Sequence, residues 1–222
     1  MPAVPKLPDG PRLGPMEPCT PGSVRLARRE DFAALARTLA RAFYDDPVTA
    51  WFYPNAARRM SHARRFFAIR LRQLADQQLI FTTPDHSGAA LWARPGHWRE
   101  DLRQSLMLTP MLPVLLPRIL RSTRAVREIE RRHPVEPHFY LSVIGTDPDK
   151  RGEGVGSALL VPVLQRCDTD RTAAYLESSK ASNLSFYERH GFEVTERIDL
   201  PEQGPPLWLM WREPARPGRG IR

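Results

Sequence analysis

The chain has 222 residues, of which 41% are hydrophobic and 26% are charged, a balance typical of one globular domain with a sizeable core. Its formal net charge of +8 suits an anionic partner such as nucleic acid, a membrane surface or a phosphorylated ligand, but a solvated surface in which arginine replaces lysine explains the charge more simply. Two cysteines exclude a disulfide framework and a cysteine-rich metal site, so we expect no metal. No apolar run reaches the roughly 20 residues that span a bilayer, and no signal-peptide segment is evident, so we expect a cytoplasmic protein.

The first half of the chain shows helical and strand periodicity between breakers. Residues 1–22 are rich in proline, lack periodicity and are predicted to be disordered. The predicted elements that follow are a strand at 23–28, a helix at 31–43, an aromatic-rich loop at 44–55, a helix at 57–77, strands at 79–83 and 88–94, and a proline-broken helical stretch at 98–132.

The second half has a cleaner pattern, in which strands and helices alternate. The predicted elements are a strand at 138–146, a turn at 147–151, a helix at 152–167, a strand at 173–178, a short helix at 183–190 closed by Gly191, and strands at 192–200 and 207–212. We therefore predict one α/β domain over 23–213, with a flexible tail at 214–222. Its sheet should be mixed but mostly antiparallel, with helices on both faces and one parallel pair flanking the 152–167 helix.

The glycine-rich segment between the 138–146 strand and the following helix carries the chemistry. It reads Thr146-Asp-Pro-Asp-Lys-Arg-Gly-Glu-Gly-Val-Gly-Ser157. Glycines let backbone N–H groups turn inward, a helix N-terminus adds a positive dipole end, and Arg151 adds a cation, which together suit a pyrophosphate. The segment lacks the Gly-Lys-Ser/Thr of a Walker loop, and Gly156 comes one place early for a dinucleotide fingerprint. A nucleotide site with Glu177 on the ribose, and a turn that only allows close packing, remain open alternatives.

Two motifs in this half resemble those of a known superfamily. The order Arg-x-x-Gly-x-Gly after a strand, followed by Asn-Leu-Ser-Phe-Tyr-Glu-Arg-His-Gly-Phe at 183–192, is similar to the GNAT superfamily of N-acetyltransferases. The resemblance covers 23–213 in element order and is motif-specific from His138 onward. Within the superfamily, the run from Phe139 looks most like puromycin N-acetyltransferase and its actinobacterial relatives. The resemblance implies a GNAT-like fold, acetyl-CoA as cofactor and acetyl transfer to an amine.

The resemblance also implies roles for individual residues. The end of the strand should offer backbone groups to the pantetheine arm, with Gly145 at a bulge where two parallel strands part. The glycine-rich loop should hold the pyrophosphate, Asn183 should bond the pantetheine or its loop, and Tyr187 should lie near the thioester sulfur. The implied cofactor-binding residues are Ile144, Gly145, Thr146, Arg151, Gly152, Gly154, Val155, Gly156, Ser157, Asn183 and Tyr187.

Acetyl transfer needs a neutral amine, a stabilised carbonyl oxygen and, for the leaving thiolate, a proton. Strand N–H groups near Ile144 can stabilise the oxygen, and Tyr187 is the candidate acid, with core packing as its structural alternative. Glu177 ends a strand beside the expected site and is the candidate base, although a structural ion pair would also explain it. His138 is a second candidate base, and the acids Asp45 and Asp46 could meet the amine or cap a helix or turn.

The acceptor is less well defined by the sequence. Trp51, Phe52 and Tyr53 follow the first helix and are predicted to form a flat or apolar acceptor pocket, unless they cap the core. We expect a small-molecule amine acceptor, with a protein or peptide amine as the alternative. Arginines at 118–132 could instead make a CoA-binding module that binds nucleic acid, which we favour least. The sequence is compatible with a monomer or a homodimer.

Overall fold

The computed structural model describes residues 24–99, 106–116 and 119–215. The predicted N-terminal tail, most of the C-terminal tail and part of the proline-broken stretch lie outside these residues. The first half contains strand β1 (Arg25–Leu26), helices α1 (Phe32–Ala42), α2 (Pro47–Phe52) and α3 (Ala56–Leu74), strands β2 (Ile80–Thr82) and β3 (Gly88–Ala93), and helices α4 (Leu112–Leu115) and α5 (Ile119–Arg132).

The second half follows the predicted order closely. It consists of strand β4 (His138–Thr146), helix α6 (Val155–Asp170), strand β5 (Ala173–Ser178), helix α7 (Leu184–Glu188), and strands β6 (Glu193–Asp199) and β7 (Pro206–Arg212). None of the described helices is long and apolar enough to cross a membrane.

The described strands form one seven-stranded sheet in the order β1-β2-β3-β4-β5-β7-β6. Only β4 and β5 run parallel, paired from His138 with Ala173 to Leu141 with Leu176, and the other neighbours are antiparallel. The predicted sheet, with its single parallel pair on either side of α6, is therefore confirmed. The parallel pair needs a helical crossover, because a tight turn can join only antiparallel strands.

Helices cover both faces of the sheet, as predicted. On one face, α1 and α3 pack through Leu35, Leu39 and Leu71 against residues that include Leu91 of β3. On the other face, α6 packs against residues that include Trp92, the next residue of β3. Adjacent side chains of a strand point to opposite faces, so β3 contributes to two cores at once. This explains why all six of its residues are buried.

Two local predictions are wrong. The aromatic loop expected at 44–55 contains helix α2, whose N-cap Asp46 accepts a hydrogen bond from the Thr49 backbone N–H at 2.9 Å, with Pro47 in the first turn. An acid followed by proline is a helix-start signal that the prediction passed over. The bulge expected at Gly145 lies at Ser142, because Leu91 pairs with Val143 while Trp92 pairs with Leu141. Gly145 itself pairs regularly with Ala89, and a Cβ there would lie 3.0 Å from atoms of α1 and Phe43.

Candidate active site

A cleft opens where the two parallel strands separate. The pairing of β4 with β5 ends at Leu141 and Leu176, while beyond this point β4 stays bonded to β3 and β5 stays bonded to β7. The bulge at Ser142 coincides with the separation, as bulges bend and twist a strand. Backbone groups on the β5 side of the last residues of β4 therefore have no strand partner and face a cavity of about 630 Å³.

The glycine-rich loop forms one wall of this cavity. Gly152 and Gly154 have φ angles of +85° and +79°, a region that residues with a Cβ rarely adopt. Gly154 is the N-cap of α6 without a side-chain cap, and the first intrahelical bond is donated by the Ala158 N–H to its carbonyl at 3.0 Å. The N–H groups of the first turn, from Val155 to Ser157, thus have no intrahelical acceptor. Such a helix start binds anions well.

Charged side chains hold the glycine-rich loop against α1 and supply positive charge to the cavity. Arg41 of α1 lies 2.7 Å from Asp149 and 3.2 Å from Asp147, which ties the turn before the glycines to the first helix. Arg151 donates to the Ala42 carbonyl at 3.3 Å, and its guanidinium lines the cavity. No carboxylate of the described residues lies within ion-pair distance of it. Its charge is therefore available to a phosphate in the cavity.

Every residue that the resemblance implied for the cofactor lines this one cavity, including the terminal residues of β4, the loop glycines, Asn183 and Tyr187. Asn183 precedes α7 but its side chain makes no capping bond, so it can reach toward a ligand. Gly156 allows α6 and α7 to approach, because a Cβ there would lie 3.2 Å from the Phe186 ring. Tyr187 is 7% exposed, and burial raises the pKa of its hydroxyl, with the Asp46 charge adding to the effect. Tyr187 therefore remains a neutral phenol and can donate a proton.

Glu177 also lines the cavity, at the end of β5. Its side chain is 9% exposed, and its Oε2 accepts a hydrogen bond from the Tyr140 hydroxyl at 2.8 Å. Its Oε1 has no hydrogen-bond partner within the described part of the chain and lies 3.6 Å from Nδ1 of His133. A buried carboxylate with one unpaired oxygen costs free energy, so such groups are often found at functional sites.

The other candidate acids and bases have structural partners. His138 is 3% exposed and lies outside the cavity lining, with its Nδ1 2.7 Å from the Glu136 carbonyl oxygen. Asp46 caps α2 and accepts a hydrogen bond from the Ser179 hydroxyl. Asp45 lies 2.9 Å from the Lys180 ammonium, and this interaction lowers the pKa of its carboxyl group. Both aspartates line the cavity.

The predicted acceptor residues lie apart from the cavity lining. Trp51 and Phe52 pack with the core under β5, β6 and β7, and Tyr53 is 7% exposed in a cluster with Ile69 and Met111. The Arg121 guanidinium lies 3.6 Å from the centre of the Trp51 ring, a distance typical of a cation–π contact. Their role in acceptor binding stays a prediction.

Several arginines of α5 that suggested a nucleic-acid surface are matched by acids. Arg124 pairs with Glu202 at 2.7 Å, Arg131 pairs with Glu128 at 2.8 Å, and Arg132 pairs with both Glu128 and Glu196. These ion pairs reduce the positive potential of the helix, so its basic composition has a structural explanation.

His133 is the residue of this region that the sequence interpretation missed. It follows α5, is 8% exposed, and lies between Glu177 and His138 in space. Its only signal in the sequence is an unremarkable His-Pro pair five residues before the β4 histidine. Nothing in that spacing indicates that both rings lie against Tyr175 of β5, because the turn between α5 and β4 decides it.

Comparison with known proteins agrees with this geometry. Residues 125–203 match the family model described as an acetyltransferase (GNAT) domain. An uncharacterised N-acetyltransferase of Schizosaccharomyces pombe is 29% identical over 207 residues, which span 83% of this chain and 81% of the fungal protein. A Corynebacterium glutamicum structure described as histone acetyltransferase HPA2 and related acetyltransferase is 27% identical, with a TM-score of 0.64, and the match covers 90% of this chain and all of that one.

A more distant structure shares the fold alone. Agmatine N-acetyltransferase is 15% identical, with a TM-score of 0.55, over 87% of this chain and 100% of the other. The matched domain model spans β4, α6, β5, α7 and β6, of which the first four contribute residues to the cavity lining. The domain match over residues 125–203 and the two more similar proteins support an acyltransferase with an acetyltransferase domain of the GNAT type.

Proposed function

We propose that this chain transfers an acetyl group from acetyl-CoA to a primary amine of a small molecule, by direct attack in a ternary complex. The observation that carries the proposal is the convergence of three features on one cavity. They are the unpaired end of β4, the uncapped start of α6 with Arg151, and the pair of side chains Glu177 and Tyr187.

The cavity residues fit acetyl-CoA, which supplies the acetyl group as a thioester. The first-turn N–H groups of α6 and the Arg151 guanidinium suit a pyrophosphate, since the N–H groups have no intrahelical acceptor and the guanidinium, which donates to the Ala42 carbonyl, has no carboxylate partner among the described residues. The unpaired edge of β4 between Val143 and Thr146 offers backbone donors and acceptors to an amide-containing pantetheine arm. An N–H of this edge would also stabilise the carbonyl oxygen as negative charge develops on it.

The reaction divides into two proton transfers with separate residues. Glu177 takes a proton from the acceptor ammonium, directly or through a water molecule, because an amine attacks only when its lone pair is free. As the new C–N bond forms and the C–S bond breaks, Tyr187 donates its proton to the departing sulfur. Tyr187 then recovers a proton from the attacking nitrogen, so the catalyst returns to its starting state.

Asp45 and Asp46 line the cavity, where their carboxylates would attract the ammonium group of an acceptor, although each also has a structural partner in Lys180 or Ser179. The sequence resemblance to puromycin N-acetyltransferase makes an aromatic aminonucleoside a first acceptor to try. The alternative is a protein amine, since the Corynebacterium glutamicum protein is described in terms of histone acetylation. An amine panel should therefore contain puromycin, aliphatic polyamines and short lysine peptides, with free thiol as the readout.

The cofactor part of the proposal is tested by calorimetric titration of acetyl-CoA. Arg151→Glu should weaken binding at least about tenfold, which is about 1.4 kcal/mol, because it places a negative charge against the pyrophosphate. Arg127→Glu makes the same charge change at an exposed position of α5, outside the cavity lining. It should leave the affinity for acetyl-CoA unchanged. Equal effects of the two variants would contradict the assigned phosphate site, and no binding to the wild type would refute the proposed function.

A further inference from the structure

A buried chain of titratable groups extends from the cavity into the protein. Glu177 lies at the cavity end, His133 lies behind it, and His138 lies behind His133. The three are linked by a 3.6 Å approach of Glu177 Oε1 to His133 Nδ1 and a 3.0 Å contact between the two histidine Nε2 atoms. Both histidines are less than 9% exposed.

The hydrogen-bond partners determine where the protons lie. A carbonyl oxygen only accepts, so His138 Nδ1, 2.7 Å from the Glu136 carbonyl, must carry a proton. Burial lowers the pKa of His138, which keeps this ring neutral and leaves its Nε2 as an acceptor. The proton in the 3.0 Å contact must then belong to Nε2 of His133. Nδ1 of His133 is thus the atom free to gain or lose a proton.

That free nitrogen faces the free oxygen of the carboxylate. Glu177 Oε2 is occupied by the Tyr140 hydroxyl, while Oε1 has no hydrogen-bond partner among the described residues. Without a proton between them, a carboxylate lone pair and an imidazole lone pair would meet in a buried site. This repulsion favours uptake of one proton by the pair, which converts the contact between Glu177 and His133 into a charge-assisted one.

Neighbouring rings hold His133 in this orientation. Trp98 stacks on it with 3.6 Å between ring centres and an interplanar angle of 21°. Tyr140 of β4 and Tyr175 of β5 contact it edge-on at 4.9 and 4.8 Å. The titratable groups that face His133 are therefore Glu177 and Tyr175 from β5 and His138 and Tyr140 from β4, with the charge of Glu136 acting on His138. Glu177 is the carboxylate among them that lies within ion-pair distance of His133.

We propose that His133 is a positioning residue that receives the proton taken up by Glu177, so that the base of the reaction is the Glu177–His133 pair. This inference rests on the proposed function. One proton passes from the acceptor ammonium to Glu177 Oε1 and then to His133 Nδ1, giving an imidazolium beside a carboxylate. The second amine proton ends on the CoA sulfur by way of Tyr187. The proton held by the pair returns to solvent through the cavity when the products leave.

The direct test is a ¹⁵N NMR titration of histidine-labelled protein, with the His133 signals assigned by their loss in His133→Asn. In the wild type, His133 should gain an imidazolium proton at Nδ1 as the pH falls, while Nε2 stays protonated. In the isosteric variant Glu177→Gln, the pH of this transition should fall by about one unit or more, because the paired negative charge is gone. Glu193→Gln, an exposed glutamate on β6, is the matched control and should not move it.

An unchanged His133 transition in Glu177→Gln, or a neutral His133 with its proton on Nδ1 throughout, would overturn the proposal. This readout needs no acceptor, so it is separate from the proposed function. If the His133 transition depends on Glu177 but no amine of the panel is acetylated, only the proposed function is contradicted. If an amine is acetylated but the His133 transition does not depend on Glu177, only the proposed proton transfer between Glu177 and His133 is contradicted.

A second test of the proposed proton transfer is kinetic and uses His133→Asn. The asparagine can still donate a hydrogen bond to Glu177 but cannot take its proton. With an active acceptor, kcat/KM at pH 7 should fall about tenfold or more. The acidic limb of the pH profile should also move, because Glu177 then has no imidazole to which it can pass the proton. Calorimetry should give an unchanged affinity for acetyl-CoA. A lower rate with an unmoved acidic limb would assign His133 a packing role and overturn the proposal.

Discussion

Asp168, near the end of α6, provides a direct test of what stabilises the second half of the chain, which contributes most of the cavity lining. Its two carboxylate oxygens accept hydrogen bonds from Arg212 at 2.8 and 3.0 Å, and one of them also accepts from the Ala215 backbone N–H at 2.7 Å. The Arg212 side chain is only 8% exposed, and its Nε donates to the His190 carbonyl at 2.9 Å. This network therefore joins α6, the turn after α7 and β7.

Asp168→Asn keeps the size of the side chain but removes its charge and one acceptor oxygen. Arg212 would then remain buried with its charge uncompensated, and removing one partner of a buried pair costs about 3–5 kcal/mol. Asp168 itself is 24% exposed, so solvent screens part of the effect. We expect the free energy of unfolding to fall by about 2–3 kcal/mol at pH 7.

The matched control is two residues away on the same helix. Asp170 pairs with Arg166, but the two side chains are 30% and 36% exposed. An exposed pair is worth about 0–1 kcal/mol, and a negative charge at a helix C-terminus opposes the dipole, so Asp170→Asn should cost little. Urea denaturation of the wild type and both variants gives the comparison. If Asp168→Asn costs no more than Asp170→Asn, the assigned importance of the buried network is wrong.

Two further predictions concern the acid and the pH dependence of stability. Tyr187→Phe should lower kcat about 10- to 100-fold in steady-state assays while leaving acetyl-CoA affinity within about twofold by calorimetry, because it removes only the proton donated to sulfur; a larger loss of affinity than of rate would contradict the acid role. Asp31 accepts hydrogen bonds from Arg25 at 2.7 and 2.9 Å and from the Arg28 N–H at 2.7 Å, and the Arg25 interaction lowers its pKa. A lowered folded-state pKa means that the stabilisation is present above the unfolded pKa of about 3.9 and is lost as the pH falls through the folded value. Asp31→Asn should therefore cost about 2 kcal/mol at pH 7 and progressively less below about pH 4 in urea titrations, and a cost independent of pH would contradict this reasoning.

The sequence alone determined the order of elements in the second half of the chain and the wall of the cavity that the glycine-rich loop forms. The 138–146 strand, the glycines before α6 and the 173–178 strand could be predicted because local chemistry specifies them. Alternation marks a strand, and clustered glycines mark a turn whose N–H groups can face a bound anion. These elements are adjacent in the chain, so placing them correctly also assembles the wall that they form.

Tertiary structure decided what depends on contacts between distant segments. The bulge lies at Ser142 and not at Gly145, because the glycine is required by the close approach of α1. Trp51 and Phe52 pack against the core under β5, β6 and β7, which the sequence could not show, since any aromatic cluster suits either a core or a pocket. His133 meets Glu177 only because the turn after α5 brings its ring against Tyr175 of β5. Pairings between residues far apart in the chain follow from how the whole sheet packs, and no local pattern encodes them.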